Sequence, residues 1–179
     1  ICANILGGCY GSTGPLSLNP KTGKKYYHDF PFVTNRDSIR AFDLLRQELG
    51  IKKIHTVVGC SQGGQQAIEW AVEVPEVFEH LIAIGANAKH SPWAIAFNES
   101  QRMAIEQDPT WKEDHDLAGI EGMKTARAIA LLSYRNHIQY NKTQAETTDE
   151  VYDNFKASSY QRYQGLKMSR RFNAFSYWY

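Results

Sequence analysis

The chain has 179 residues, of which 42% are apolar and 22% charged, and 20 Lys and Arg against 19 Asp and Glu give a net charge of +1. That length suits one ordinary domain with a sizeable core. The near-neutral balance excludes reliance on a strong basic field, so neither nucleic acid nor an anionic membrane is an expected partner. No apolar run approaches the ~20 residues that a membrane-spanning helix needs.

The cysteines and the two ends of the chain set further expectations. Cys2, Cys9 and Cys60 form neither an even disulfide framework nor a metal-spaced pair. We therefore expect a reducing, cytoplasmic setting. We also expect neither a metal nor a resident cofactor. The chain begins within an apolar run and ends on a cluster of aromatic residues, so we expect a fragment of a longer protein, lacking early and late strands.

The first half alternates strand and helix patterns. Residues 1–6 form a candidate strand, and residues 7–32 a long loop that contains glycine and proline. Thr34 is a candidate cap for a helix with 3.6-residue apolar spacing, and Gly50 stands where a C-terminal glycine would end it. A strand over 54–59, a helix over 63–74 and a strand over 81–85 follow. Strand–helix–strand order predicts a parallel sheet and an α/β fold.

The second half changes character after residue 88. Helical patterns dominate, roughly over 93–107, 120–139 and 150–170, and the polar segment 141–150 is a candidate loop. We therefore assign residues 1–88 to part of an α/β core. Residues 89–179 are assigned to a helical lid region inserted on that core, because they contain no further strand-like run.

The run Gly59-Cys60-Ser61-Gln62-Gly63 lies between a hydrophobic strand and a helix, which is the context of a nucleophile elbow. The turn is so tight that the residues two before and two after the serine must be small. It exposes the Ser61 hydroxyl at a helix N-terminus, where a developing negative charge is stabilised. Ser61 is thus the candidate nucleophile and the backbone N–H of Gln62 a candidate oxyanion donor. Cys60 is expected to pack away from the site, and an ordinary strand–helix turn is the alternative interpretation.

A serine needs a base, normally a histidine oriented by an acid. None of the histidines after Ser61 follows a strand in the required order of nucleophile, acid and base. We interpret all four as surface or lid residues and expect a polypeptide ending at Tyr179 to be inactive. They are His80, His90, His115 and His137.

Several motifs together resemble the homoserine O-acetyltransferase family of the α/β-hydrolase superfamily, in order and over essentially the whole chain. The most specific is Asn4-Ile5-Leu6-Gly7-Gly8-Cys9-Tyr10-Gly11-Ser12-Thr13-Gly14-Pro15, and Thr34-Asn35-Arg36-Asp37 and Arg171-Phe172-Asn173-Ala174-Phe175-Ser176-Tyr177 are others. The elbow departs from the pattern. Members usually carry Gly-Gly-Ser-Met-Gly-Gly where this chain has Gly59-Cys60-Ser61-Gln62-Gly63-Gly64. The resemblance therefore does not specify which side chains line the acyl pocket.

The resemblance implies an α/β-hydrolase-like, mostly parallel sheet and a cytoplasmic acyltransferase of methionine biosynthesis. Ser61 would take an acetyl group from acetyl-CoA and pass it to the hydroxyl of L-homoserine, in ping-pong order. A homodimer formed through the lid helices is also implied. The family's catalytic acid and histidine would lie beyond Tyr179, and its second oxyanion donor before Ile1.

Arg127 and Tyr134 match lid positions that contact the amino-acid substrate in that family. The two residues are seven apart, which puts them on one face of a helix with Leu131 between them. A guanidinium suits the two oxygens of a carboxylate. The alternative is an exposed arginine and a packed tyrosine on an ordinary amphipathic helix.

Other functions remain open from the sequence. Within the same family the acceptor could be L-serine or the donor succinyl-CoA. A serine elbow can also pass its acyl group to water, which would make the protein an esterase. A third class is a non-catalytic binding protein with this fold. An esterase would release free acid at full rate without homoserine, which separates it from a transferase.

Overall fold

A computed structural model describes all residues from 1 to 179. Contacts divide the chain into two compact units, one of residues 1–13 and 31–91 and the other of residues 14–30 and 92–179. None of the seven α-helices combines the length and the apolarity needed to traverse a bilayer. Their bounds are α1 Asn35–Glu48, α2 Gln62–Glu73, α3 Pro92–Glu106, α4 Ile120–Tyr134, α5 His137–Gln144, α6 Lys156–Ser169 and α7 Ala174–Trp178, and the strands are β1 Ile54–Cys60 and β2 Phe78–Ile84.

In the first unit, β1 and β2 pair in parallel and α2 connects them. The register runs from Ile54 opposite Phe78 to Cys60 opposite Ile84. Helix α2 packs against both strands, and α1 packs against α2. The predicted strand–helix–strand order and parallel pairing are therefore confirmed.

The predicted ends of α1 are also confirmed. Thr34 and Asp37 form a reciprocal capping box, because the Thr34 side chain accepts from the Asp37 N–H and the Asp37 carboxylate accepts from the Thr34 N–H. At the other end, Gly50 follows the helix with a φ of 67°, a conformation that glycine adopts without a steric cost.

Residues 1–6 do not form the strand that their apolar sequence predicts. A strand needs a partner for its backbone groups, and no other strand pairs with this segment. The segment instead joins a compact loop. The Gly7 N–H donates to the Thr13 carbonyl at 2.9 Å, and the Ser12 hydroxyl donates to the Asn4 carbonyl at 2.9 Å.

The second unit is helical, and its core lies among α3, α4, α6 and α7. Helix α4 packs against both α3 and α6. Two glycines allow these close approaches, because a Cβ on Gly122 would lie 2.5 Å from the Ala104 carbonyl oxygen and one on Gly165 would lie 2.6 Å from that of Lys124. The buried core residues include Ile105, Trp111, Ala118, Met123, Ala126, Met168, Ala174 and Phe175.

Two features of the second unit differ from the sequence prediction. The helix predicted over 120–139 ends at Tyr134, because Arg135 is extended and Asn136 caps a new helix by accepting from the N–H groups of Ile138 and Gln139. Residues 14–30, assigned from sequence to the α/β core, group instead with the helices. The reason is aromatic packing, since the ring of His28 lies 4.6 Å from that of Trp111 and 5.0 Å from that of Phe175.

Candidate active site

Ser61 occupies the turn between β1 and α2 in a conformation that is rare for a residue with a side chain. Its φ is 53° and its ψ is −123°. Three backbone hydrogen bonds hold it there. The Ser61 N–H donates to the Ile84 carbonyl at 2.9 Å, and the Ser61 carbonyl accepts from the N–H groups of Gly64 and Gln65 at 2.9 and 3.1 Å. The turn therefore has the strained, rigid form of a nucleophile elbow, as predicted.

Two glycines make this turn sterically possible, although they are not both the predicted ones. A Cβ on Gly59 would lie 2.1 Å from the Gly63 carbonyl oxygen, and one on Gly64 would lie 2.5 Å from the Ala86 Cβ. A Cβ on Gly63 would meet nothing within 4 Å. The prediction that Gly63 must be small is therefore wrong for this unit, because a Cβ there would point into open space. The glycine that must be small is Gly64, whose Cβ would collide with Ala86, just after the end of β2.

The elbow presents its serine at the beginning of a helix. Gln62 is the first residue of α2, so its N–H has no acceptor within the helix. Such an N–H, with the positive end of the helix dipole behind it, can stabilise an oxyanion formed at the Ser61 hydroxyl. The assignment of Gln62 as oxyanion donor stays a prediction. Ser61 is exposed, and so is Cys60, which was expected to pack.

No histidine forms a hydrogen bond with Ser61 in this structure. His80, His90, His115 and His137 are all exposed, which agrees with their assignment as surface or lid residues. The ring of His90 lies 3.2 Å from the side-chain nitrogen of Gln65.

One cluster of the first unit has the composition of a metal site. Ligand atoms of His55, Glu79 and His80 lie within 4.8 Å of one another at the start of the two strands, and all three residues are exposed. Two histidines and a glutamate are a known zinc ligand set. The elbow chemistry described above does not involve this cluster.

In the second unit, α4 brings Arg127 and Tyr134 together as the seven-residue spacing predicts. The Arg127 guanidinium carbon lies 5.4 Å from the centre of the Tyr134 ring, and Leu131 between them is buried. Tyr134 is 64% exposed. Arg127 takes part in none of the salt bridges of the structure, all of which join a carboxylate to a different basic side chain. A half-buried guanidinium without a carboxylate partner is suited to binding one from solution.

Tyr177 of α7 lies near the same pair and was not singled out from the sequence as a site residue. Its burial raises its pKa to about 12, with the nearby Tyr134 adding to the shift, while the charge of the nearby Arg127 guanidinium opposes it. The Tyr177 hydroxyl donates to Gln101 Oε1 at 2.7 Å. Residues 76 positions apart form this bond, and no local pattern could have predicted it.

A cavity of about 450 Å³ lies beside the end of α4. The hydroxyl of Tyr160 accepts from the Arg135 guanidinium at 2.6 Å within its wall. Its other lining residues are Tyr134, Asn136, Gln139, Tyr140, Thr143 and Gln144. Tyr134 thus contributes to this wall as well as to the contact with Arg127.

Comparison with known proteins supports the resemblance found in the sequence. The family model for the alpha/beta hydrolase fold matches residues 1–176. A homoserine O-acetyltransferase of Cyclobacterium marinum is 57% identical over 99% of this chain and 50% of its own length. One from Chlorobaculum parvum is 44% identical over the same shares. The chain thus spans about half the length of the curated relatives it matches.

Solved structures give the same fold. A homoserine O-acetyltransferase from Bacillus anthracis matches with a TM-score of 0.85 and 26% identity, over 93% of this chain and 47% of that one. The esterase E22 matches with a TM-score of 0.79 and 26% identity, over 93% and 48%. A transferase and an esterase are therefore both similar to this chain.

Proposed function

The chain belongs to the alpha/beta hydrolase fold family, and we propose that the complete protein moves an acetyl group from acetyl-CoA to the hydroxyl of L-homoserine. The observation that carries the proposal is the strained backbone of Ser61 between β1 and α2. Relatives named homoserine O-acetyltransferase, at up to 57% identity, favour this transfer over other serine chemistry.

The proposed reaction has two halves. In the first, the Ser61 oxygen attacks the thioester carbonyl, a general base takes the serine proton, and the CoA thiol leaves with a proton. In the second, the homoserine hydroxyl attacks the acetyl-serine ester, gives up its proton, and the Ser61 oxygen is reprotonated as it leaves. Both halves pass through a tetrahedral oxyanion, to which the Gln62 N–H would donate.

We assign recognition of the acceptor to Arg127 and Tyr134. The free guanidinium would bind the homoserine carboxylate through two parallel hydrogen bonds, and Tyr134 would fix the guanidinium plane through its ring face. Because acetyl-CoA reacts before homoserine binds, this recognition belongs to the second half-reaction only.

The test of Ser61 is a mass measurement on the complete protein after incubation with acetyl-CoA alone. A peptide containing Cys60 and Ser61 should gain one acetyl group, and Ser61→Ala should abolish the gain. Cys60→Ala is the matched control and should keep it, because the exposed thiol beside the serine is the competing nucleophile. Neutral hydroxylamine removes a thioester much faster than an ester, so it identifies the acylated atom. Acetylation that survives Ser61→Ala would refute the assignment.

Hydrolysis is the second candidate, because the esterase E22 has the same fold at a similar TM-score. It predicts that acetate appears at the full rate without an acceptor. Under the leading proposal, CoA release without homoserine stops after one equivalent per active site. Comparison of the two rates therefore separates the candidates, and the same assay with L-serine or succinyl-CoA tests the other acceptor and donor.

The remaining features of the proposal rest on the resemblance. We propose that the reaction belongs to methionine biosynthesis, takes place in the cytoplasm and uses acetyl-CoA as a co-substrate without a resident cofactor or metal. We also propose a homodimer formed through the lid helices. Sedimentation of the complete protein tests the dimer directly.

A further inference from the structure

In the second unit, side chains of α3 and α7 form a hydrogen-bonded pair near the Arg127 guanidinium that is assigned to the acceptor. Gln101 of α3 is 8% exposed and donates its side-chain N–H to the Phe97 carbonyl at 3.0 Å. That bond fixes which end of the amide faces α7. The Gln101 Oε1 then accepts from the Tyr177 hydroxyl at 2.7 Å.

The direction of each bond in this group follows from the chemistry of its members. Since the single Tyr177 proton is donated to Gln101, the phenol oxygen has its lone pairs left to accept. A guanidinium has only donors, so Arg127 can bond to Tyr177 in one sense only, with the arginine donating. The phenol oxygen is therefore an available acceptor for one edge of the guanidinium, whose central carbon lies 5.4 Å from the centre of the Tyr134 ring.

We propose that Tyr177, oriented by Gln101, is a positioning residue that holds the Arg127 guanidinium in the geometry needed to bind the acceptor's carboxylate. The inference rests on the proposed role of Arg127. An arginine side chain has several rotatable bonds, and a bidentate carboxylate contact requires one orientation of its plane. Fixing that orientation before the substrate binds reduces the entropy lost on binding.

The neutral state of Tyr177 is part of this arrangement. With a pKa near 12, the phenol keeps its proton throughout the range in which an enzyme of this kind operates. It therefore remains a donor to Gln101 and keeps its lone pairs available to accept from Arg127. An ionised phenolate would instead pair with the guanidinium directly and compete with the carboxylate of the substrate.

The test uses Tyr177→Phe in the complete protein, which removes one oxygen and keeps the ring. We expect the KM for homoserine to rise about tenfold, the effect of losing one hydrogen bond to a charged group. The rate of Ser61 acylation by acetyl-CoA should not change. Tyr179→Phe is the matched control, because that nearby hydroxyl donates to the His28 carbonyl at 2.9 Å and should leave the KM unaltered.

Two further measurements separate positioning from a structural role. In an Arg127→Ala background, Tyr177→Phe should cause no additional loss, since the group it orients is gone. With 3-aminopropan-1-ol, which is homoserine without its carboxylate, wild type and Tyr177→Phe should react equally. Gln101→Met provides a second variant and should reproduce the KM effect without adding to that of Tyr177→Phe.

The outcomes distinguish this inference from the proposal on which it rests. If Arg127→Ala leaves the homoserine KM unchanged, the proposed role of Arg127 fails, and the positioning role fails with it. If Arg127→Ala raises the KM but Tyr177→Phe does not, only the positioning role fails. An equal slowing of acylation and transfer by Tyr177→Phe would also overturn it, because that pattern indicates damage to the fold.

Discussion

Replacing Gly59 by alanine should damage the elbow far more than the same change at Gly63. The new Cβ would lie 2.1 Å from the Gly63 carbonyl oxygen and 2.4 Å from its carbonyl carbon. Relief of this overlap requires the strand and the first turn of α2 to separate by about 1 Å. Both atoms are backbone, so no side-chain rotation can provide that distance. A Cβ at position 63 has open space.

The magnitude follows from the contacts that such a separation disturbs. Overpacking costs ~1–3 kcal/mol in well-packed sites, and each backbone hydrogen bond weakened around Ser61 adds about 1 kcal/mol. We therefore expect Gly59→Ala to lower the free energy of unfolding by about 3 kcal/mol, measured by urea titration. A shift of about 1 Å at the nucleophile should lower the acylation rate by roughly 10²-fold. Gly63→Ala should change stability by less than ~1 kcal/mol. Equal losses in the two variants would refute this account of the turn.

Two further predictions concern the helical unit. Burial raises the pKa of the Asp108 carboxyl, but hydrogen bonds from Gly122 and Thr110 outweigh this effect, so the pKa is lowered overall. The ionised carboxylate therefore stabilises the fold at pH values above its ordinary pKa of about 4. Asp108→Asn should lower the free energy of unfolding by ~1–3 kcal/mol at pH 7, measured by urea unfolding. The difference from wild type should shrink as the pH falls below about 4. A difference independent of pH would contradict this role of the Asp108 carboxylate. Gly165→Ala should lower the melting temperature, because the overlap of the new Cβ with the Lys124 carbonyl costs more free energy than the ~1 kcal/mol gained in helix propensity. A higher melting temperature would show that α4 and α6 can separate to make room for the methyl group.

Elements specified by neighbouring residues could be predicted from the sequence. The Thr34 capping box, the glycine that ends α1 and the strand–turn–helix around Ser61 each depend on groups within a few positions of one another. The strand predicted at residues 1–6 failed for the opposite reason, since a strand is completed by a partner that its own sequence does not name. The position of residues 14–30 likewise depends on rings more than 80 residues away.

The candidate site divides in the same way. Ser61 and Gln62 follow from a five-residue motif, and the Arg127–Tyr134 contact follows from helical spacing within α4. The role proposed for Gln101 could not be predicted, because its hydrogen bond with Tyr177 forms only when α3 and α7 come together. Its burial as a polar residue is visible only in the structure.

The fold alone does not distinguish a transferase from an esterase, because solved structures of both kinds match this chain. An elbow stabilises an oxyanion in the same way whether water or an alcohol attacks the ester. The acceptor can be selected only by a group that binds it, and an amino acid offers a carboxylate that water lacks. Arg36, Arg40 and Arg46 pair with carboxylates, whereas Arg127 and Arg135 form no salt bridge and each lies against a tyrosine ring. The partners proposed to orient Arg127, Tyr134 and Tyr177, are uncharged and leave its charge available. Under the proposed function, selection of the acceptor therefore depends on side chains that long-range packing brings together.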